Sequence, residues 1–106
     1  MKIMTEADEN VLALLIVNNP YFADAYQLCK VLAWKFGIIN CSEIINRIEK
    51  MNYITITYPK TPTLKFFHLT EDGRMVLEQE RSSLGNRLVE GFPEHAEFIE
   101  KLVARK

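Results

Sequence analysis

The sequence predicts a mainly helical fold with one small β-hairpin, which is an α+β class. Five stretches combine apolar residues at helical spacing with helix-capping or helix-breaking signals. One stretch, residues 53–69, changes to the alternating β-branched and aromatic pattern of strands. The 106 residues and 48% hydrophobic content fit a single domain over residues 1–106, with its core at about residues 5–90.

The first helix is expected to begin after Thr5, whose hydroxyl can accept from free N–H groups of the first turn. Asp8 and Glu9 follow, and their carboxylates suit the positive end of the helix dipole. Residues 11–17 are apolar on almost every side. Because such a helix cannot lie on a surface with one face covered, it is either the central core helix or partly a subunit interface.

Two further helices are marked by their ends. Asp24 with Gln27 three residues later predicts the start of the second helix, and Gly37 predicts a left-handed end. Asn40 with Glu43 predicts the start of the third by the same spacing. The apolar positions of the second helix are Ala25, Leu28, Cys29, Leu32 and Phe36, and those of the third are Ile44, Ile45, Ile48 and Met51.

The second half of the chain begins with the predicted hairpin, whose strands are residues 53–58 and 64–69. The loop between them contains two prolines, which cannot sit inside a strand ladder. Thr70 is expected to cap a fourth helix, which breaks at the Gly-Phe-Pro of residues 91–93. The final helix, about residues 94–105, is expected to cap the core or to form a dimer contact.

Cys29 and Cys41 form no C-x-x-C or metal-finger spacing, and His68 and His95 are the only histidines. A zinc site would need all four residues to converge, so we expect two ordinary buried thiols, no metal site and no cofactor.

Nothing in the sequence predicts a secreted, membrane-bound or catalytic protein. The N-terminus turns acidic without an apolar stretch, and the longest apolar run is far shorter than the roughly 20 residues that span a bilayer. Ser82 and Ser83 have no partner histidine nearby, and no G-x-S-x-G or glycine-rich phosphate loop occurs. We therefore expect a reduced, cytoplasmic protein that has no membrane partner and is not an enzyme.

The element order is helix, helix, helix, hairpin, helix, helix, in which the second and third helices form a helix-turn-helix pair. Residues 49–54, Glu-Lys-Met-Asn-Tyr-Ile, resemble the end of the recognition helix in the MarR and PadR kinds of winged-helix regulator. Residues 69–74, Leu-Thr-Glu-Asp-Gly-Arg, resemble the end of their wing. The resemblance covers about residues 8–90. It implies a winged helix with the order α1-α2-α3-β-hairpin wing-α4-α5 and the function of a bacterial transcriptional regulator that binds duplex DNA.

The segment that would contact DNA is the one with a positive net charge. The whole chain has a formal net charge of −1, from 13 basic and 14 acidic residues. Residues 1–39 carry −1 and residues 70–106 carry −2, whereas residues 40–69 carry +2. The basic residues of that middle segment are Arg47, Lys50, Lys60 and Lys65, and its acidic residues are Glu43 and Glu49.

The resemblance implies that helix 42–52 lies in the major groove and that hairpin 53–69 lies along the backbone as the wing. On the third helix, Ser42, Asn46 and Arg47 are expected to face base edges, with Arg47 suited to guanine and Asn46 to adenine. The expected contacts to phosphates are Lys50, Lys60, Thr61, Thr63 and Lys65.

So few cations per chain favour a homodimer on a palindromic site, with half-sites about 34 Å apart and the first or last helix as interface. The alternative is a winged-helix protein–protein interaction module without DNA binding, which Glu43 and the net charge favour.

Trp34 has two interpretations: it stacks on a ligand or partner, or it packs structurally, which is the commoner role of a tryptophan in a small domain. The same choice applies to Tyr21, Phe22 and Tyr26, which either line an effector pocket or pack at the start of a helix.

Overall fold

The computed structural model describes residues 4–58 and 64–104. Within these ranges the chain forms five α-helices and one two-stranded antiparallel sheet, which confirms the α+β class. The elements are α1 (Glu6–Val17), α2 (Ala25–Phe36), α3 (Cys41–Lys50), β1 (Ile54–Thr57), β2 (Phe66–Leu69), α4 (Glu71–Gly91) and α5 (Ala96–Val103). Short 3₁₀ helices cover Pro20–Phe22 and Pro93–His95.

Helix α1 is the centre of the core. Every residue from Val11 to Val17 is buried, and α2, α3, α4, α5 and β2 all contact this helix. Of the two interpretations of its apolar sequence, the core helix is confirmed. Its residues 11–17 leave no exposed apolar face for a second copy, because elements of the same chain cover it.

Most of the predicted helix ends are confirmed. The Thr5 hydroxyl accepts from the Asp8 amide at 3.0 Å, and the Asp24 carboxylate accepts from the Gln27 amide at 2.8 Å. Gly37 is left-handed with φ +67°. The predicted cap at Asn40 is wrong: its side chain makes no capping hydrogen bond, because its ψ of 45° is not the extended backbone that aims a cap at the first turn.

The hairpin pairs Ile54 with Leu69 and Ile56 with Phe67, and these side chains face the core. Its strands are shorter than the predicted 53–58 and 64–69, and the loop over residues 59–63 lies outside the described residues. The segment before α2 also pairs with β2, since the Ala25 amide donates to the Lys65 carbonyl at 2.9 Å and the Phe67 amide donates to the Ala23 carbonyl at 2.8 Å. The hairpin is therefore bonded to the start of α2.

Thr70 joins the turn after α3 to the start of α4. Its hydroxyl donates to the Asn52 carbonyl at 2.6 Å and accepts from the Gly73 amide at 3.0 Å, which confirms the predicted cap. Its own amide donates to the Tyr53 carbonyl at 3.0 Å. Asn52 takes the left-handed conformation, with φ +64°, that lets the chain turn into β1.

The last two helices pack on each other. Helix α4 runs through Gly85 and ends at Gly91, as predicted, and α5 begins after the 3₁₀ turn rather than at residue 94. Ile99 and Leu102 of α5 are buried, and Val103 lies against Gly85. Of the two interpretations of the last helix, it covers the core of its own chain.

The cysteines are not free thiols. Cys29 of α2 and Cys41 of α3 form a disulfide, with their Cα atoms 5.5 Å apart, so the prediction of two ordinary buried thiols was wrong. The turn at residues 37–40 reverses the chain and brings the start of α3 beside the middle of α2, a proximity that sequence spacing does not reveal.

The disulfide is expected to contribute about 3 kcal/mol to the free energy of unfolding, because it closes a loop with a sequence separation of 12. Urea unfolding of the oxidised and dithiothreitol-treated protein measures this difference. The same reductant should leave the C29A/C41A double variant unchanged. Equal stability of the oxidised and reduced wild-type protein would contradict the prediction.

Gly73→Ala is expected to lower the free energy of unfolding by about 1–3 kcal/mol, since the added Cβ would overlap the backbone carbonyl of Tyr53. Gly85→Ala is the matched control in the same helix. Its Cβ would meet only the Val103 side chain, at 2.9 Å, which can move. Urea unfolding of both variants should show a clearly smaller loss for Gly85→Ala, and the reverse order would exclude the steric explanation.

Candidate nucleic-acid interface

Helix α3 carries a polar stripe on its exposed side. Ser42, Asn46 and Lys50 are spaced by four residues, which places them along one face of the helix, and all three are exposed. The opposite side of α3 buries Ile44 and Ile48 completely. The structure therefore brings together three of the residues that the sequence assigned to DNA contacts.

Arg47 does not join this stripe. Its Nε donates to Oδ1 of Asn10 at 3.0 Å, and its Nη2 donates to Oε1 of Glu9 at 2.8 Å. Its Nη1 lies 3.7 Å from a Glu6 carboxylate oxygen and 3.8 Å from a Glu43 carboxylate oxygen. Only 20% of the side chain is exposed. In this arrangement Arg47 holds α3 against α1, and the predicted guanine contact would require these bonds to break.

The surroundings of Arg47 are acidic. Three carboxylates, from Glu6, Glu9 and Glu43, face one guanidinium, so the first half of α3 adjoins an excess of negative charge. Such an excess weakens the attraction for phosphate groups. Of these three contacts, only the pairing of Glu43 with Arg47 is indicated by the sequence, because the two residues are four positions apart on one helix.

Lys65 is the one hairpin residue predicted to contact phosphates that lies within the described residues. Lys60, Thr61 and Thr63 lie outside the described residues. Lys65 is half-buried, and its main-chain carbonyl is bonded to the start of α2. The exposed side of the sheet carries Thr55, Thr57 and His68, polar side chains that are not among the residues predicted to contact DNA.

A second exposed surface lies on α2. Tyr26 and Trp34 are 65% and 74% exposed, and the Lys30 ammonium lies 5.8 Å and 4.6 Å from their ring centroids. We call these three residues the α2 aromatic face. The packing role expected for Trp34 is wrong, whereas Phe22 does pack, edge to face on Phe98. Tyr21, 74% exposed, has its ring 5.1 Å from that of Phe22.

No group of three or more metal-ligating side chains occurs within residues 4–58 and 64–104. None of the helices in those ranges is long and apolar enough to cross a membrane. No family model, no curated protein and no solved structure matches the chain.

Arg47→Met is expected to lower the free energy of unfolding by about 1–3 kcal/mol, because the buried Asn10 oxygen would lose its hydrogen-bond donor. Lys50→Met, at an exposed site of the same helix, is the matched control and should change stability by less than about 0.5 kcal/mol. Urea unfolding measures both variants. Equal losses would show that Arg47 does not anchor α3.

Proposed function

We propose that this protein is a winged-helix transcriptional regulator that binds duplex DNA as a homodimer. Helix α3 lies in the major groove and the hairpin lies along the phosphate backbone. The observation that carries the proposal is the exposed stripe of Ser42, Asn46 and Lys50 on a helix whose other side is buried.

The chemistry of the stripe supports base reading. The carboxamide of Asn46 can pair in a bidentate way with the edge of adenine, and the Ser42 hydroxyl can donate to or accept from either member of a base pair. Lys50, at the end of the helix, supplies a charge for a phosphate group. None of these three side chains has to leave a buried partner before it contacts DNA.

The rigid attachment of the hairpin also supports the proposal. Thr70 bonds the turn after α3 to α4, and β2 is bonded to the segment before α2. Hydrogen bonds to base edges discriminate only within narrow distances and angles. Because these hydrogen bonds fix the position of the hairpin relative to α3, the two proposed DNA-contacting elements meet this requirement.

The proposed affinity of one subunit is low. Among the described residues of α3 and the hairpin, the basic residues are Arg47, Lys50 and Lys65. Arg47 is paired with carboxylates, which leaves Lys50 and Lys65 as cations for phosphate contacts. Each phosphate contact contributes about −0.9 to the slope of log affinity against log salt. Two subunits double the number of contacts, so the proposal includes a homodimer. Because α1 and α5 cover their own core, we assign the dimer contact to the α2 aromatic face.

The proposal places the protein in the bacterial cytoplasm, where its DNA is. Thiol-reducing systems make disulfides rare in that compartment. The Cys29–Cys41 disulfide is therefore an unusual feature for the proposed compartment.

The second candidate function is a protein–protein interaction module without DNA binding or catalysis. The observation that favours it is the acidic excess of Glu6, Glu9 and Glu43 around Arg47, next to the proposed reading stripe. The exposed rings of the α2 aromatic face would then contact a different protein instead of a second copy.

Selection of duplexes from a random pool, followed by fluorescence anisotropy on the enriched sequence, tests DNA binding. Lys50→Ala should weaken binding equally for all sequences and lower the salt slope by about 1. Asn46→Ala should relax the preference at one position at a cost of about 1–3 kcal/mol. The control is Lys35→Ala, which removes a charge from α2 next to Phe98 and should change neither quantity.

Enrichment of no sequence by the selection would contradict the proposed function and favour the second candidate. Light scattering of the wild type and of Trp34→Ala tests the dimer separately. A dimer that Trp34→Ala converts to monomer supports the assigned interface, and a monomeric wild type excludes it.

A further inference from the structure

The end of α1, one side of α4 and the end of α5 line an open cavity of about 540 Å³ that the proposed DNA contact does not use. Its volume lies within the range of small-molecule sites. Leu15, Leu77 and Leu102 line it with apolar surface. Arg74, Arg81 and Lys101 also line it, together with one carboxylate, that of Glu78.

Arg81 is the most unusual of these residues because its charge is buried. Its side chain is only 7% exposed. Its Nη1 donates to the Val103 carbonyl at 3.1 Å, and its Nη2 donates to the Glu78 carboxylate at 2.8 Å. Its Nε has no hydrogen-bond partner among the described residues. The Nε has almost no accessible surface, so a ligand in the cavity would meet Arg81 as a buried charge and not through this atom.

Arg74 and Lys101 add charge to the lining of the cavity. Both are exposed, and neither forms a salt bridge within the described parts of the chain. Among the described residues, the side chains that line the cavity include three cations and one anion, an excess of two positive charges. Arg74 and Arg81 are seven residues apart, which places both on the same side of α4.

We propose that this cavity binds a small phosphate monoester. A phosphoryl group carries close to two negative charges at neutral pH and offers three acceptor oxygens, which matches the charge excess. Arg74 and Lys101 are exposed and supply N–H donors, and Arg81, which is held by Val103 and Glu78, supplies a fixed buried charge. The organic part of the ligand packs on the leucines. The site does not depend on the proposed DNA binding.

Isothermal titration calorimetry of the full chain with phenyl phosphate tests the site. We expect saturable binding of one ligand per chain. Arg74→Gln and Lys101→Gln should each weaken it at least about fivefold, since each removes a charged hydrogen bond. Lys35→Gln makes the same charge change outside the cavity and should leave the affinity unchanged. Arg81 is not substituted, because it also holds the end of α5.

Two further probes separate the parts of the proposal. Inorganic phosphate should bind more weakly than phenyl phosphate, because it lacks the apolar part, and benzoate should bind more weakly because it carries one negative charge. Benzoate binding as tightly as phenyl phosphate would overturn the phosphoryl assignment, and equal binding of inorganic phosphate would overturn the role of the leucines. No saturable binding up to about 10 mM phenyl phosphate, or unchanged affinity in both cavity variants, would overturn the site itself.

Discussion

The enclosure of α1 is the constraint on which the rest of the structure depends. A helix with seven consecutive buried apolar residues, Val11 to Val17, has to be covered from all sides, so α2, α3, α4, α5 and β2 each place an apolar face against it. Each of these elements then has one outward side left for other functions. The polar stripe of α3 and the α2 aromatic face are two such outward sides. The end of α1 lines the open cavity together with α4 and α5.

The first turns of α1 also decide what Arg47 can do. Asn10 is buried beside the apolar residues, and its carboxamide oxygen accepts a hydrogen bond from Nε of Arg47. The Glu9 carboxylate accepts a hydrogen bond from Nη2. A guanidinium held by two partners orients α3 strongly, but it is lost as a free cation for DNA. The +2 charge of residues 40–69 is therefore an upper bound on what the surface presents. The proposed DNA affinity would have to come from the proposed dimer and from the uncharged members of the stripe.

The motif that suggested a winged-helix regulator has a structural explanation of its own. Thr70 caps α4 and bonds the Asn52 carbonyl, and Gly73 is required because the Tyr53 carbonyl lies where a Cβ would be. These residues connect α3, the hairpin and α4, and none of them has to touch a ligand. The motif is thus evidence for how the elements are joined, and evidence for DNA binding has to come from the stripe itself.

The sequence by itself determined the α+β class, the order of the elements and most of their ends, because capping and periodicity depend on residues within about four positions of each other. Thr5, Asp24, Gly37 and Thr70 were all identified in this way. Only the tertiary structure decided the Cys29–Cys41 bond, the partners of Arg47 and the charges around the cavity. The two cysteines are 12 residues apart in the sequence, and Arg47 is 37 residues from Asn10 and 38 from Glu9. No local pattern specifies such partners, since the packing of the helices around α1 determines which side chains meet.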